Sequence, residues 1–337
     1  MKKLRKILWP FSVPYDGVTR LRNYFFDTTV FDSQEYDFPV IGIGNLSVGG
    51  TGKSPMTEYV LNLLNDSHQL ATLSRGYGRS TKGFYEVTPD SPAAEVGDEP
   101  LQFARKFEDV HVAVCENRVE GIAKLRDKRP RPEVVVLDDV FQHRNVNPGL
   151  LILLTAYSDL FYDDLILPAG NLRESRVGAA RADLIVVTKC PVDLSLEEQM
   201  HIEMRIKKYS QAPVYFAAIA YGSLRGASGL VRFDHLIQEK PTVVTGIAKP
   251  QPFLEYLSQK GLMFNHLEYG DHHNFTDAEL AYFDQQKTII TTEKDYMRLH
   301  GNLKKAALYY IPISFKLLKN QTGFDNQIKD FVKSGGV

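Results

Sequence analysis

Residues 41–55, IGIGNLSVGGTGKSP, constrain the fold more than any other stretch of the chain. An apolar, β-branched run predicts a buried strand, a glycine-rich turn follows it, and Gly-Lys-Ser then precedes a segment typical of a helix. Glycines let successive backbone N–H groups face an anion, and the helix N-terminus contributes its positive end. The stretch predicts a phosphate-binding loop, in which Lys53 and Ser54 serve the phosphates of a nucleoside triphosphate and a Mg²⁺ ion.

The loop departs from the usual G-x-x-x-x-G-K-[ST] pattern at one position, because Ser47 stands where the first glycine is expected. Gly49, Gly50 and Gly52 compensate, since glycine reaches positive φ without steric cost. A strand-to-helix turn that binds nothing is the weaker alternative, because Gly-Lys-Ser after a buried strand rarely arises by accident. The predicted nucleotide-binding residues are Asn45, Ser47, Gly49, Gly50, Thr51, Gly52, Lys53 and Ser54.

The composition of the 337 residues is ordinary for a soluble protein, with 43% hydrophobic and 24% charged residues. The formal net charge of −1 gives no electrostatic footprint for nucleic acid. Cys115 and Cys190 lie far apart and form no CxxC motif. This cysteine usage excludes a disulfide framework or a zinc site and is typical of a reducing compartment.

Residues 1–28 differ from the average because they are basic and rich in aromatic residues. The uncharged run 7–15 is far shorter than the roughly 20 residues that span a bilayer, and Pro10 and Pro14 are expected to break a helix there. Aromatic rings at the headgroups and lysines on lipid phosphates favour contact with an anionic membrane surface. The alternative is an amphipathic helix that packs on the protein's own core.

Buried-type strands recur with helical intervals between them, which predicts an α/β fold with a doubly wound parallel sheet, like that of P-loop NTPases. A second, smaller α/β domain is expected after a linker at Tyr221–Gly229. The predicted units are the segment 1–28, a kinase-like core 29–220, a smaller domain 221–315 and a C-terminal helix 316–337 that could pack back on the core. Strands are expected near 39–44, 69–73, 110–115, 133–138, 150–154, 183–188, 213–219, 242–245, 262–267, 287–291 and 307–311.

Two acidic motifs indicate where phosphoryl chemistry could occur. The run EVVVLDD at 133–139 ends a buried strand in Asp138 and Asp139, where a carboxylate supports Mg²⁺ in phosphate-loop folds. Helix capping is the alternative for that pair. The motif GDEP at 97–100 opens a helix, and Asp98 is equally interpreted as a cap or as a general base for a substrate hydroxyl.

Three further loops carry charged or nucleophilic groups. LPAGNLRESR at 167–176 offers Arg173 or Arg176 as a phosphate clamp, with surface salt bridges as the alternative. SRGYGR at 74–79 suits an anionic or sugar-containing substrate, although a plain turn is equally compatible. DHHNF at 271–275 fits a base with its orienting partner or a metal site.

Taken together, these motifs resemble the tetraacyldisaccharide 4′-kinase family of lipid A biosynthesis. The resemblance implies transfer of the γ-phosphate of ATP, with Mg²⁺, to the 4′-hydroxyl of tetraacyldisaccharide 1-phosphate, forming lipid IVA. It also implies a peripheral or monotopic protein at the cytoplasmic face of the bacterial inner membrane, with residues 1–28 on the membrane surface. No nucleic acid and no obligate protein partner is implied. The motifs that carry it are GNLSVGGTGKSP, SRGYGR, GDEP, LDDVFQHR, LPAGNLRES, VTKC, GIAKPQPF, DHHNF and TEKD.

The resemblance assigns roles residue by residue. It implies that Asp98 is the base, that His272 orients it (with His273 as the alternative), and that Lys53 acts on the phosphates. Ser54, Asp138 and Asp139 would support the metal. The residues implied to line the site are Tyr77, Glu99, Arg173 and Glu174.

Two positions depart from the family pattern. Val140 stands for the expected Gly in LDDGFQH, and Asn171 for the expected Pro in LPAGPLRE. Both departures affect local backbone geometry and leave the charged residues in place.

The predicted base and its histidine lie in different predicted domains, so the site is expected in the cleft between them, where closure excludes water. Two other classes of protein are alternatives. A membrane-associated P-loop ATPase switch is one, although a guanine-reading Asn-Lys-x-Asp is absent and 188–191 (TKCP) is the nearest stretch. A DHH-type phosphoesterase is the other, and the further Asp/His clusters that it needs early in the chain are missing.

Overall fold

The structure is a computed structural model that describes residues 5–227 and 229–336. Lys2 and Lys3 of the predicted membrane segment lie outside the described residues, as do Ser228 of the predicted linker and Val337 of the predicted C-terminal helix. Across the described part of the chain, the strands form two sheets, and helices connect them. None of the helices there is both long and apolar enough to span a bilayer.

The described residues contain fifteen strands and eleven α-helices, with three short 3₁₀ helices besides. The strands are β1 (Val40–Asn45), β2 (Leu70–Ser74), β3 (Tyr85–Val87), β4 (His111–Val114), β5 (Val134–Leu137), β6 (Leu150–Ala156), β7 (Leu184–Thr188), β8 (Val214–Tyr221), β9 (Arg225–Gly226), β10 (Gly229–Leu230), β11 (Thr242–Thr245), β12 (Asn265–Glu268), β13 (Thr288–Thr292), β14 (Ala307–Ile311) and β15 (Ile313–Leu317). The helices are α1 (Trp9–Asp27), α2 (Lys53–Leu64), α3 (Ala93–Val96), α4 (Asp98–Lys106), α5 (Arg118–Arg126), α6 (Leu196–Ile206), α7 (Asp234–Ile237), α8 (Gln251–Gln259), α9 (Asp277–Phe283), α10 (Glu293–Leu299) and α11 (Gln321–Lys333).

The larger sheet has the strand order β15-β8-β7-β6-β1-β5-β2-β4-β3, and all neighbours are parallel except at the two edges. Successive strand residues point to opposite faces, and both faces are buried. Ile41 and Ile43 enter the core on one face, while Val40 enters the core on the other. The predicted doubly wound parallel α/β sheet is confirmed, whereas its antiparallel edge strands β3 and β15 were not predicted.

Strand β1 lies between β5 and β6, so the chain passes from one side of β1 to the other. In sheets of this kind the ligand crevice lies beyond the carboxyl ends of the strands at this reversal. Because the strands are parallel, the segments that follow them meet at one edge. Those segments begin at Leu46 after β1, Arg75 after β2, Asp138 after β5 and Lys189 after β7.

The smaller sheet has the order β10-β9-β14-β13-β11-β12, and four of its strands correspond to those expected after residue 240. The prediction of a linker at Tyr221–Gly229 was wrong in part, because Arg225–Gly226 forms β9 and pairs antiparallel with β14. The small residue allows this close approach, since a Cβ on Gly226 would lie 2.8 Å from Cδ1 of Tyr309. The small residue at this position therefore permits close strand pairing and does not indicate a flexible linker.

The prolines near the N-terminus do not break a helix, contrary to the expectation from sequence. Helix α1 includes Pro10 in its first turn, where a backbone N–H would have no intrahelical partner in any case. Pro14 lies one turn further on and removes a single ladder hydrogen bond near the helix start. Of the residues of α1, only Ser12 is buried, and its apolar side chains are largely exposed.

The last helix, α11, packs on the larger sheet and on α2. Its Phe324 is fully buried, with the ring centroid 5.0 Å from that of Tyr215 and 5.7 Å from that of Tyr59. The Tyr59 hydroxyl donates to the Asp325 carboxylate at 2.6 Å. The chain therefore returns to the larger sheet after the smaller one.

The chain passes between the two sheets twice, from β8 to β9 and from β14 to β15, and one pair of helices also joins the sheets. The two connecting segments lie side by side, because the Gly222 N–H donates to the Pro312 carbonyl at 2.8 Å. Helix α10 of the smaller sheet packs on α4 of the larger one, where Lys106 ion-pairs with Glu58 of α2 and with Glu293 of α10. Burial and the Glu58 charge raise the pKa of Glu293 to about 7, although Lys106 opposes the rise.

Gly44 shows how closely β1 approaches the turn after β5. A Cβ at this position would lie 2.6 Å from Cβ and 2.8 Å from the backbone N of Phe141. We expect Gly44→Ala to lower the free energy of unfolding by about 1–3 kcal/mol, as overpacking does, measured by urea denaturation. Gly17→Ala is the control, because nothing lies within 4 Å of that Cβ and alanine favours a helix. Equal stability of Gly44→Ala and the wild type would contradict the close contact.

Candidate active site

The phosphate-binding loop leads from β1 into α2 at the carboxyl edge of the larger sheet. Gly49 and Gly52 have φ of 117° and 89°, which only glycine adopts without strain. The buried Asn45 amide donates to Thr51 Oγ1 at 2.8 Å and holds the loop from beneath. Thr188 at the end of β7 donates to the Thr51 carbonyl at 2.7 Å, so two strands support the same loop.

A second loop, 166–174, lies against the phosphate-binding loop. Ser47 forms a bridge with Leu172, and the Arg173 N–H donates to the Leu46 carbonyl at 2.7 Å. The arrangement aims Arg173 at the acids after β5. Its Nη1 lies 3.1 Å from Asp139 Oδ1, and Lys53 Nζ lies 3.6 Å from the same oxygen.

The charges around Asp139 and Asp138 differ although the two residues are adjacent. Burial alone would raise the pKa of Asp139, but Lys53 and Arg173 hold it below its usual value. Burial and the neighbouring Glu99 charge instead raise the pKa of Asp138 to about 7. A buried carboxyl that is short of positive charge is suited to a cation.

The donor set fits Mg²⁺. Ser54, Asp138 and Asp139 offer hydroxyl and carboxylate oxygens, the ligand type that Mg²⁺ prefers. Mg²⁺ is usually held by one or two carboxylates together with substrate phosphates. The described residues contain no cluster of three or more His, Cys, Asp or Glu side chains that could hold a metal.

Asp98 at the start of α4 contacts the smaller sheet's residues directly. Its Oδ2 lies 3.3 Å from Nδ1 of His272 and 3.3 Å from Nε of Arg298. Arg298 also ion-pairs with Asp295, which accepts the Gly246 N–H at 3.0 Å. The carboxylate of Asp98 is therefore held between a histidine and an arginine from the other half of the molecule.

Of the two adjacent histidines, only the first faces Asp98. His272 has a φ of 57°, and its ring lies 5.5 Å from that of the exposed Tyr77. His273 turns away, pairs with Glu279 at 3.0 Å and stacks on Tyr269. Of the two, His272 is the histidine whose ring contacts the predicted base.

Glu99 links this cluster to the phosphate-binding loop. Its Oε1 lies 3.2 Å from Nζ of Lys294, which in turn lies 2.9 Å from Nε2 of His272. Burial alone would raise the pKa of Glu99, but Lys294, Lys53 and a hydrogen bond from Ser54 bring it below its usual value. One chain of polar contacts runs from Asp98 to the loop.

The remaining predicted residues have other partners. Glu174 is buried and accepts from Arg181 at 2.7 Å and from Asn23 of α1 at 2.8 Å, which fixes the 166–174 loop. Arg176 donates to the Asp164 carbonyl at 2.7 Å, whereas Arg173 contacts Asp139.

Two residues at the centre of the site were assigned no role from the sequence. Lys294 lies within the TEKD motif, which marked the family but suggested no role for the lysine. Arg298 follows it by one helical turn and belongs to no motif. Their contacts with Glu99 and Asp98 form only because α10 packs against α4.

Comparisons with known proteins show which family the chain resembles. The family model described as tetraacyldisaccharide-1-P 4′-kinase matches residues 4–333. A tetraacyldisaccharide 4′-kinase of Flavobacterium johnsoniae is 45% identical, over 99% of this chain and 98% of its own length. One of Bacteroides thetaiotaomicron is 43% identical, over 96% and 92%. The crystal structure of LpxK from Aquifex aeolicus in complex with ATP is 29% identical, with a TM-score of 0.79 over 98% of this chain and 99% of its own.

Arg298 neutralises two buried carboxylates, so its loss should be costly. Its side chain is 7% exposed, and those of Asp295 and Asp98 are 0% and 10% exposed. We expect Arg298→Met to lower the free energy of unfolding by about 3 kcal/mol, because it leaves buried charges unpaired. The matched control is Arg232→Met, whose pair with Asp234 is largely exposed and contributes at most about 1 kcal/mol. Similar urea midpoints for the two variants would contradict the buried ion-pair cluster.

Proposed function

The chain belongs to the tetraacyldisaccharide-1-P 4′-kinase family, and from that premise we propose which of its residues perform the transfer. The reaction of the family moves the γ-phosphate of ATP to the 4′-hydroxyl of tetraacyldisaccharide 1-phosphate, a step of lipid A biosynthesis. All the relatives named above are kinases or carry ATP, which leaves the ATPase-switch and phosphoesterase alternatives without support.

We propose that Asp98 is the general base. The observation that carries this proposal is the contact of Asp98 Oδ2 with both His272 and Arg298. Within residues 5–227 and 229–336, both of these contacts are made by Oδ2, so Oδ1 is the oxygen that we propose accepts the proton. A base must lie within hydrogen-bond reach of the hydroxyl that it deprotonates, and anchoring the carboxylate holds it in one position for that contact.

The transfer then follows from the positions of the charged groups. As the 4′-oxygen bonds to the γ-phosphorus, its proton passes to Asp98 and the bond to the β-phosphate oxygen breaks, releasing ADP. Lys53 and Arg173, which both lie beside Asp139, are placed to offset the negative charge of the phosphates. Mg²⁺, when held by Ser54, Asp138 and Asp139, would supply further positive charge to the β- and γ-phosphates.

We further propose that the two sheets act as two domains that close on the substrates. The base belongs to α4 of the larger sheet, and His272 belongs to the smaller one. The ion pairs of α4 with α10 support a closed arrangement in which this base is complete. Closure would exclude water, which otherwise competes with the lipid hydroxyl for the γ-phosphate.

Asp98→Asn should abolish the base and keep the site intact, since asparagine has the same shape and stays neutral. We expect the kcat for transfer of labelled phosphate to tetraacyldisaccharide 1-phosphate to fall by at least about 100-fold. ATP affinity should change little. Asp109→Asn, at an exposed site just beyond α4, serves as the control. Wild-type turnover by Asp98→Asn would remove Asp98 as the base and leave the kinase function in place.

We also propose that α1 docks the protein on the cytoplasmic face of the inner membrane. The pattern of α1 is the reverse of a helix packed on a core, because polar Ser12 is buried while Phe11 and Val18 are 66% and 68% exposed. Ser12 donates to the Ile166 carbonyl, and Tyr15 donates to the Arg173 carbonyl, so the polar side of α1 rests on the loop that bears Arg173. Its apolar side remains for lipid.

Replacing Phe11 and Val18 together by serine should weaken binding to anionic vesicles. Burying each such side chain contributes up to about 1.5–3 kcal/mol, so we expect at least a tenfold lower partition coefficient in vesicle sedimentation. The control is Val192→Ser, which alters a side chain of similar exposure away from α1. Equal losses in both variants, or no loss in either, would contradict docking through α1.

A further inference from the structure

Lys294 occupies a position that helix stability does not explain. Thr292 caps α10 by accepting the Asp295 N–H, so Lys294 lies in the first turn of the helix. The positive end of the helix dipole disfavours a cation there, and the other charged residues of that turn, Glu293 and Asp295, are acidic. The contacts of Lys294 must therefore account for its position.

Two contacts of Lys294 with other described residues lie inside the site. Lys294 Nζ is 3.2 Å from Glu99 Oε1, which anchors it across the cleft on α4. It is also 2.9 Å from Nε2 of His272. The imidazole is thus held between Lys294 on one nitrogen and Asp98 on the other, at 3.3 Å from Nδ1.

The chemistry of the donors fixes the proton on this ring. An ammonium has three donors and no acceptor, so Nε2 of His272 must accept. A neutral imidazole carries one proton, which then resides on Nδ1 and points at Asp98. The other tautomer would place N–H against ammonium on one side and a lone pair against carboxylate on the other.

We propose that Lys294 is a positioning residue that sets the tautomer of His272, so that Nδ1–H donates to Asp98 and fixes the carboxylate for proton transfer. The inference deepens the proposed function, since it rests on Asp98 as the base. In the serine-protease triad a wrong histidine tautomer costs about four orders of magnitude in kcat, so control of the ring proton can matter greatly. Lys294 acts through His272 and is not itself expected to touch the reacting atoms.

The direct test is ¹⁵N NMR of the full-length protein labelled on histidine, which reports which ring nitrogen carries the proton. The His272 signal is identified by its absence in His272→Gln. In the wild type we expect the proton on Nδ1. In Lys294→Met, which keeps the apolar stem and removes the donor, we expect the Nε2–H form to appear, and in Lys294→Arg the Nδ1–H form to be restored.

Activity provides the second readout. We expect Lys294→Met to lower the kcat for lipid phosphorylation by about 10- to 100-fold, within the contribution of general base catalysis, and Lys294→Arg to recover part of it. Lys287→Met is the matched control, because this lysine of the same sheet is 79% exposed and pairs with Glu239. It should change neither the tautomer nor kcat.

The outcomes separate this inference from the proposed function. An Nε2–H or doubly protonated His272 in the wild type, or an unchanged Nδ1–H form in Lys294→Met, would overturn the role of Lys294. Neither result depends on turnover. Full activity of Asp98→Asn would overturn the base assignment while leaving the tautomer result to stand.

Discussion

The contact of Asp98 with Arg298 joins the two halves of this molecule at the point where its chemistry is proposed. Each residue begins or lines a helix that packs on a different sheet, so neither half contains the complete site. Arg298 also pairs with Asp295, which the Gly246 N–H further holds. Buried charges need partners of opposite charge, and these ion pairs fix how α10 packs on α4. With α10 packed on α4 in this way, His272 contacts Asp98 and Lys294 contacts Glu99.

Much of the larger sheet and of the phosphate-binding loop could be predicted from local sequence. Strands buried on both faces are continuous apolar runs, as at 134–137 and 150–156, and such runs stand out from helical periodicity. The phosphate-binding loop could also be predicted, because its function depends on glycines and a Lys-Ser pair that are adjacent in sequence. The motifs offered Asp98 as a cap or a base, Arg173 or Arg176 as a clamp, and 271–275 as a base with its partner or a metal site. The family resemblance then selected Asp98, Arg173 and His272. The contact of Asp98 with His272 could be expected only as far as the two-domain arrangement was inferred.

What escaped prediction depends on contacts between distant segments. Lys294 and Arg298 look like ordinary helix residues until α10 packs on α4. The edge strand β15 alternates apolar and polar residues instead of forming a continuous apolar run. The helix through Pro14 was missed because the proline rule was applied without regard to position, and near a helix start its cost is small. Strand β9 was read as a linker, since the small residues that permit tight pairing also compose flexible connections.

The central claim is that Asp98 and His272 act as one unit assembled from both halves. A double-mutant cycle on the kcat for labelled phosphate transfer tests it directly, with Asp98→Asn, His272→Gln and the double variant. If the histidine acts only through the carboxylate, the double variant should be no slower than Asp98→Asn alone. Two losses that multiply in the double variant would show that the residues act independently, and would contradict a base completed across the cleft.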